Sequence, residues 1–148
     1  MFLSDEIFTV VIDSAPLVSI ELVVKNAHGM VLLGERKNRP AKGYWFVPGG
    51  RILKNESLAD AFKRLTNAEL GEAYSIEQAK LQGPYDHFYE DSVFGDGPST
   101  HYVAIAYQLK VGELRSLPTD QHSDYRWFSV DQLLKDERVH DHTKAYFM

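Results

Sequence analysis

A glutamate set in an apolar helical stripe is the residue in this chain best placed to do chemistry. From position 58 onward, Leu58, Ala61, Phe62 and Leu65 recur at helical spacing, and Glu69 continues their line. A carboxylate on a buried-facing stripe is costly unless something positive meets it. An arginine or a hard divalent cation meets that need, and carboxylate oxygens suit Mg²⁺ or Mn²⁺. The alternative is that Glu69 lies on the edge of the stripe and reaches water near the helix end. A second feature lies upstream. Arg36, Lys37, Arg39, Lys42, Arg51 and Lys54 fall in one stretch that holds no carboxylate, in a chain of formal net charge −5. A cationic island in an acidic protein suits a small anionic ligand better than a polyanion. The lysines alone read as a solvated loop. The arginines flanking Gly49-Gly50 have the geometry for bidentate phosphate contact. Arg64 and Glu56 read as a structural salt bridge that fixes the helix against its loop.

The elements that must position these residues follow from local pattern. Ser4 to Ile12 reads as a helix capped by Ser4, with Asp5 and Glu6 in its first turn. Leu17 to Val24 is β-branched and mostly apolar, a largely buried strand. Asn26 to Gly29 is a turn, and Met30 to Gly34 returns as its hairpin partner. Tyr44 to Val47 is a short strand broken by Pro48-Gly49-Gly50. Its aromatic triplet reads as core, with a ring for stacking a base as the alternative. Ser57 or Asn55 caps the helix that Gly71 ends. Gln78 to Tyr85 and His101 to Lys110 read as strands, with Asp91 to Thr100 and Pro118 to Ser123 as loops. Asp124 to Phe128 is a strand, Ser129 caps a helix through Leu134, and Thr143 to Met148 forms a last helical turn. Helices interleaved with strands predict an α/β sandwich built on a mixed sheet.

Composition narrows the class. The 148 residues fit one domain, 1–148, and 44% hydrophobic with 25% charged residues marks a globular chain. There is no cysteine, so disulfides and thiolate metal sites are excluded. No apolar run approaches the about 20 residues that cross a bilayer, and the N-terminus lacks a basic signal region. The expectation is a cytoplasmic protein that binds neither nucleic acid nor membrane.

Gly50, Glu56, Arg64, Glu69 and Gly71 stand at the spacing of the Nudix hydrolase box, and the chain resembles that family. It departs where Leu65 and Ala68 occupy the places of two metal-binding glutamates, and where Thr66 and Glu72 replace aliphatic residues. Those departures, with Pro40 to Gly50, His87-Phe-Tyr89, His101-Tyr102 and Gln121 to Trp127, resemble the GDP-mannose mannosyl hydrolases within it. The resemblance implies a Nudix-type α/β/α sandwich with a mixed sheet, usually a homodimer. It implies hydrolysis of GDP-mannose, or of GDP-glucose, to GDP and free sugar for surface polysaccharide supply. Water would attack the anomeric carbon with inversion, using Mg²⁺ as cofactor, with Mn²⁺ able to substitute. Glu69, Gln121 and the Gly49 carbonyl match the metal ligands. His122 matches the general base. Arg36, Arg51 and Tyr102 match residues that hold or neutralise the diphosphate, and His87 lies near them. Glu21 stands where a close relative has Asp, and the resemblance gives it no firm role.

The chemistry is consistent with these departures. Attack on phosphorus gains from several cations around the phosphoryl oxygens. Attack on carbon makes the diphosphate the leaving group, whose developing charge one cation and two arginines can stabilise. Histidine is the natural base near neutral pH. Each residue also has a plainer reading: His122 as a surface histidine, and His87, His101 and Tyr102 as packing residues. Two rivals stand beside the main expectation. One is a Nudix pyrophosphohydrolase cutting at phosphorus, and the other is a non-catalytic nucleotide-sugar-binding module.

Overall fold

The computed structural model describes residues 3–114, 117 and 122–148, by backbone alone at 122 and 123. The described chain runs α1 (Asp5–Ser14), β1 (Leu17–Lys25), β2 (Val31–Arg36), β3 (Trp45–Phe46), β4 (Gly49–Arg51) and α2 (Leu58–Leu70). A 3₁₀ turn at Ile76–Gln78 precedes β5 (Lys80–Tyr89), β6 (Thr100–Lys110) and β7 (His122–Phe128). The chain closes with α3 (Val130–Lys135), α4 (Asp141–Lys144) and a 3₁₀ turn at Ala145–Phe147.

The strands form one mixed sheet in the order β3-β2-β1-β6-β5, with β4 added on β1 and β7 on β2. β1 and β6 are parallel from Leu17↔Tyr102 to Lys25↔Lys110, and the other pairs are antiparallel. β1 is the pivot. One of its edges carries β6. The other is divided: Lys25 meets Val31 of β2, whereas Ser19, Ile20 and Glu21 meet β4. Between these pairings the Leu22 amide donates to the Pro48 carbonyl at 2.8 Å. β2 therefore leaves β1 to pair with β3 and β7, and the divided edge sets Gly49 directly opposite Glu21.

Alternation along β1 feeds two cores, one on each face of the sheet. Ile20, Leu22 and Val24 pack with Ala61, Phe62, Leu65 and Leu70 of α2. Val23 packs with Val31, Leu33, Trp45, Leu133 and Tyr146 beneath α3 and the C-terminal turns. This is the expected α/β/α sandwich. α2 starts at Ser57, whose hydroxyl accepts from the Asp60 amide at 3.0 Å, and stops at Gly71, whose φ of 76° suits a residue without Cβ. α1 is capped by Ser4 as expected.

The differences lie at boundaries. Gly49–Arg51 is a strand rather than a plain break, because β1 offers it a ladder. Gln78 belongs to the 3₁₀ turn, and β5 runs on to Tyr89 because the long β6 supplies pairing partners up to Thr100. His122 opens β7 instead of closing a loop, paired by its backbone with Arg36. Trp45 is fully buried and Phe46 nearly so, as the core reading of the aromatic triplet expects, whereas Tyr44 is exposed because it precedes β3 and lies outside its pairing.

Candidate functional site

A cleft of about 340 Å³ opens where the edge of β1 divides. Gly49, Arg36, Arg51, Glu69, His87 and Tyr102 all line it, so six residues singled out from sequence converge. Gln121 lies outside the described residues. His122 is described by backbone alone, placed opposite Arg36 at the end of β2.

The floor of the cleft is a pair of carboxylates around the glycine turn. Glu69 is buried, and its Oε1 accepts the Gly49 amide at 3.1 Å. The apolar stripe of α2 thus delivers a carboxylate to β4, and Glu69 does not lie on a water-exposed edge. Glu21 approaches Gly49 from β1 so closely that a Cβ there would collide with Glu21 Oε2 and with the Ile20 carbonyl. At Gly50 a Cβ would lie 2.6 Å from Leu65 Cδ2. The Ile20 backbone carbonyl makes glycine obligatory at 49, whereas at Gly50 the obstacle is the end of the Leu65 side chain, which would have to shift. Burial pushes the Glu21 carboxyl up to about 8; Arg36 opposes the rise and Glu69 adds to it. The neighbouring Ser19 hydroxyl eases the charged form slightly, yet neither Ser19 Oγ nor Glu21 Oε2 reaches hydrogen-bond geometry with any described partner.

A half-buried carboxyl whose Oε2 is buried and underpartnered, beside a second carboxylate, fits a cation. Among the described residues no three acidic or histidine side chains converge into a full metal cage. A cation here would rest on Glu69, Glu21 and the Gly49 carbonyl. Mg²⁺ tolerates so sparse a set when waters and phosphates complete it.

The wall above is cationic and aromatic. The Arg36 guanidinium sits 5.2 Å from the Phe46 ring centre, and that of Arg51 lies 4.6 Å from Phe8 of α1. Tyr89 and Tyr102 enter from β5 and β6. Burial raises both phenols, so they stay protonated and able to donate. Arg64 fixes the approach to Arg51. It grips Glu56 at 2.7 and 2.9 Å and donates to the Arg51 carbonyl at 2.9 Å, the expected structural bridge. Its hydrogen bonds also hold the Glu56 carboxyl below the usual range.

His87 is buried at one side, its Nε2 sharing a hydrogen bond with the Tyr146 hydroxyl at 3.2 Å. It stacks on His142 at 4.4 Å between ring centres, and His142 lies 4.5 Å from His140. Burial, then His142, then His140 depress His87 to about 4. It is neutral at physiological pH. His101 lies apart, paired with Asp86 at 3.1 Å and stacked on Phe88, which is the packing reading.

Glu21, Tyr89, Phe46 and Phe8 also line the cleft and were not assigned to it from sequence. For Glu21 the signal was present: a carboxylate inside an otherwise buried apolar strand is costly without a partner. The other three carry no such mark, since aromatic residues in strands and amphipathic helices are ordinary core.

Comparison with known proteins agrees with this architecture. The NUDIX domain model matches residues 16–147. The low-salt glycan biosynthesis protein Agl8 of Haloferax volcanii is 37% identical over 142 residues, spanning 96% of this chain and 86% of that protein. The MutT NUDIX hydrolase of Burkholderia pseudomallei superposes with a TM-score of 0.72 at 29% identity, over 90% of this chain and 96% of its own. A bifunctional NMN adenylyltransferase/ADP ribose pyrophosphatase of Francisella tularensis, complexed with AMP and a manganese ion, shares the fold at TM-score 0.61 and 23% identity, over 87% of this chain and 39% of its own. The chain belongs to the Nudix hydrolase family.

Proposed function

We propose that this protein hydrolyses a GDP-sugar of the GDP-mannose class to GDP and free sugar in the presence of Mg²⁺, with water attacking the anomeric carbon. The observation that carries the reading is Leu65. At the position where the Nudix box places a metal-binding glutamate, a buried leucine packs on Gly50. The cleft therefore concentrates its carboxylates at Glu21 and Glu69 and its positive charge at Arg36 and Arg51. That division suits a diphosphate leaving group better than a phosphorus centre crowded by several cations. The Haloferax relative's role in glycan biosynthesis supports a sugar-linked substrate, and the manganese ion of the Francisella protein supports a divalent cofactor.

Glu69, Glu21, the Gly49 carbonyl and Gln121 would hold the cation, which when bound neutralises charge on the diphosphate. Arg36 and Arg51 bind that diphosphate and stabilise the charge it gains as the anomeric carbon–oxygen bond breaks. Tyr102 donates to it from the protonated phenol. His122 accepts the proton of the water whose oxygen bonds to carbon on the opposite face, giving inversion. GDP departs with the electron pair of the broken bond. His87, neutral and braced by Tyr146, borders the same cleft as a hydrogen-bonding group.

Hydrolysis in ¹⁸O-labelled water tests the reading. Label is expected in the sugar alone. Label in GDP overturns carbon attack in favour of attack at the β-phosphorus, and release of GMP with sugar 1-phosphate identifies a pyrophosphohydrolase. Nucleotide binding with no GDP release leaves a non-catalytic module.

A further inference from the structure

We infer that the turn at Val93-Phe94, together with Phe8 of α1, forms the seat for the nucleobase of the substrate. The inference rests on the nucleotide-sugar reading above. The segment from Asp91 to Thr100 is polar and glycine-containing, yet its tip exposes two large apolar side chains, Val93 at 48% and Phe94 at 38%. The tip is firmly held. Ser92 and Gly95 exchange backbone hydrogen bonds of 2.9 and 3.1 Å, and the Ser92 hydroxyl, on a fully buried residue, accepts the Phe94 amide at 3.2 Å. Thr100 Oγ1 donates to the Asp91 carbonyl at 2.7 Å, and Arg39 reaches Asp96 at 3.0 Å. Nothing in this scaffold requires apolar side chains at its tip, and exposing them has a hydration cost.

Phe94 meets Phe8 at 5.9 Å between ring centres with planes 84° apart. Two rings at right angles make a corner, in which a flat heterocycle lies face-on to one wall and edge-on to the other. The corner is continuous with the cationic cleft. Phe8 and Val93 both line the cleft, and the Arg51 guanidinium rests on Phe8. A ligand whose diphosphate lies between Arg36 and Arg51 therefore has an apolar corner at the Arg51 side. The sugar side is then left to the polar flank, where His87 and Tyr89 lie. A nucleoside diphosphate sugar has the same order of parts: flat base, charged linker, polar sugar.

Binding of GDP and of inorganic pyrophosphate to the Mg²⁺-loaded protein, measured by calorimetry, tests the seat. Phe94 is exposed, so Phe94→Ala is expected to fold. It should weaken GDP roughly tenfold, within the range for one base–aromatic stack, and leave pyrophosphate unchanged. Phe94→Tyr should retain GDP affinity. Phe8→Ala should weaken both ligands, because it also releases Arg51. Equal loss of both ligands in Phe94→Ala, or loss of neither, overturns the seat. A shift in sedimentation on Phe94→Ala with unchanged GDP affinity assigns the tip to contact between copies of the chain and likewise overturns it. Wild-type protein that binds GDP no better than pyrophosphate removes the nucleotide reading beneath the seat, a failure distinct from that of the variant.

Discussion

Gly49 shows how closely a single residue type can be determined. Its position opposite Glu21 leaves no volume for a Cβ, because a backbone carbonyl and a buried carboxyl already occupy it. Gly49→Ala should destabilise the metal-free protein by about 1–3 kcal/mol, the usual range for overpacking, read as a lower urea midpoint. Adding Glu21→Ala should recover part of that loss, since one of the two obstacles leaves and the Ile20 carbonyl stays. The coupling is obtained from the double-mutant cycle. An unchanged midpoint in Gly49→Ala would mean that the turn is looser than its geometry. Sequence alone marked Gly49 as a turn and doubted Glu21, because the mutual contact spans strands that local pattern does not pair. Glu69 was more legible: Ala61, Phe62, Leu65 and Glu69 share the buried face of α2 and the last of them is charged, although Leu58, at the start of the expected stripe, is exposed.

At the scale of elements, α2 and its entry loop divide the work of the site. The apolar face of α2 holds Glu69 in place, whereas Arg64 on the outer side clamps the loop that carries Arg51. These are separable. Arg64→Lys keeps the charge but cannot make the planar fork to Glu56 together with the Arg51 carbonyl. It should raise KM several-fold through Arg51, cost about 1 kcal/mol of stability because the pair is partly exposed, and leave Mg²⁺ titration unchanged. Unchanged KM with weakened metal binding would assign Arg64 to the carboxylate pair instead. The helix, its Ser57 cap and its Gly71 stop were legible because they are local. β4 was not: Gly-Gly has poor strand propensity, and only the β1 ladder makes it a strand. The length of β5 was hidden for the same reason, and with it the placement of His87 and Tyr89 on one strand.

For the molecule as a whole, the parallel pairing of β1 with β6 brings together residues from the beginning and the last third of the chain, which no short-range signal encodes. The cleft beside this pairing brings together groups with opposing titrations, and their balance is measurable. On one side His87 and His140 are depressed from 6.5 to about 4, by burial first and then by His142. Asp86 and Asp141 oppose this, and Arg36 adds to it at His140. Unfolding releases both histidines to take up protons between about pH 4 and 6.5, so stability rises with pH across that window. Glu21 acts in the other sense. Its folded value of about 8 against an ordinary 4.5 means that unfolding releases a proton between those limits, so stability falls as pH rises through them. Between 4.5 and 6.5 two histidines outweigh one glutamate. Above 6.5 only Glu21 remains among these groups. The metal-free protein should therefore be most stable near pH 6.5, losing stability toward pH 5 and, more gently, toward pH 8. Thermal unfolding at constant ionic strength in the presence of a chelator reads both limbs. Glu21→Gln should flatten the limb above pH 6.5 and leave the acid limb standing. A profile that keeps rising from pH 6.5 to 8 in the wild type would show that Glu21 is ionised in the folded metal-free protein, its charge already balanced by Arg36 across the cleft.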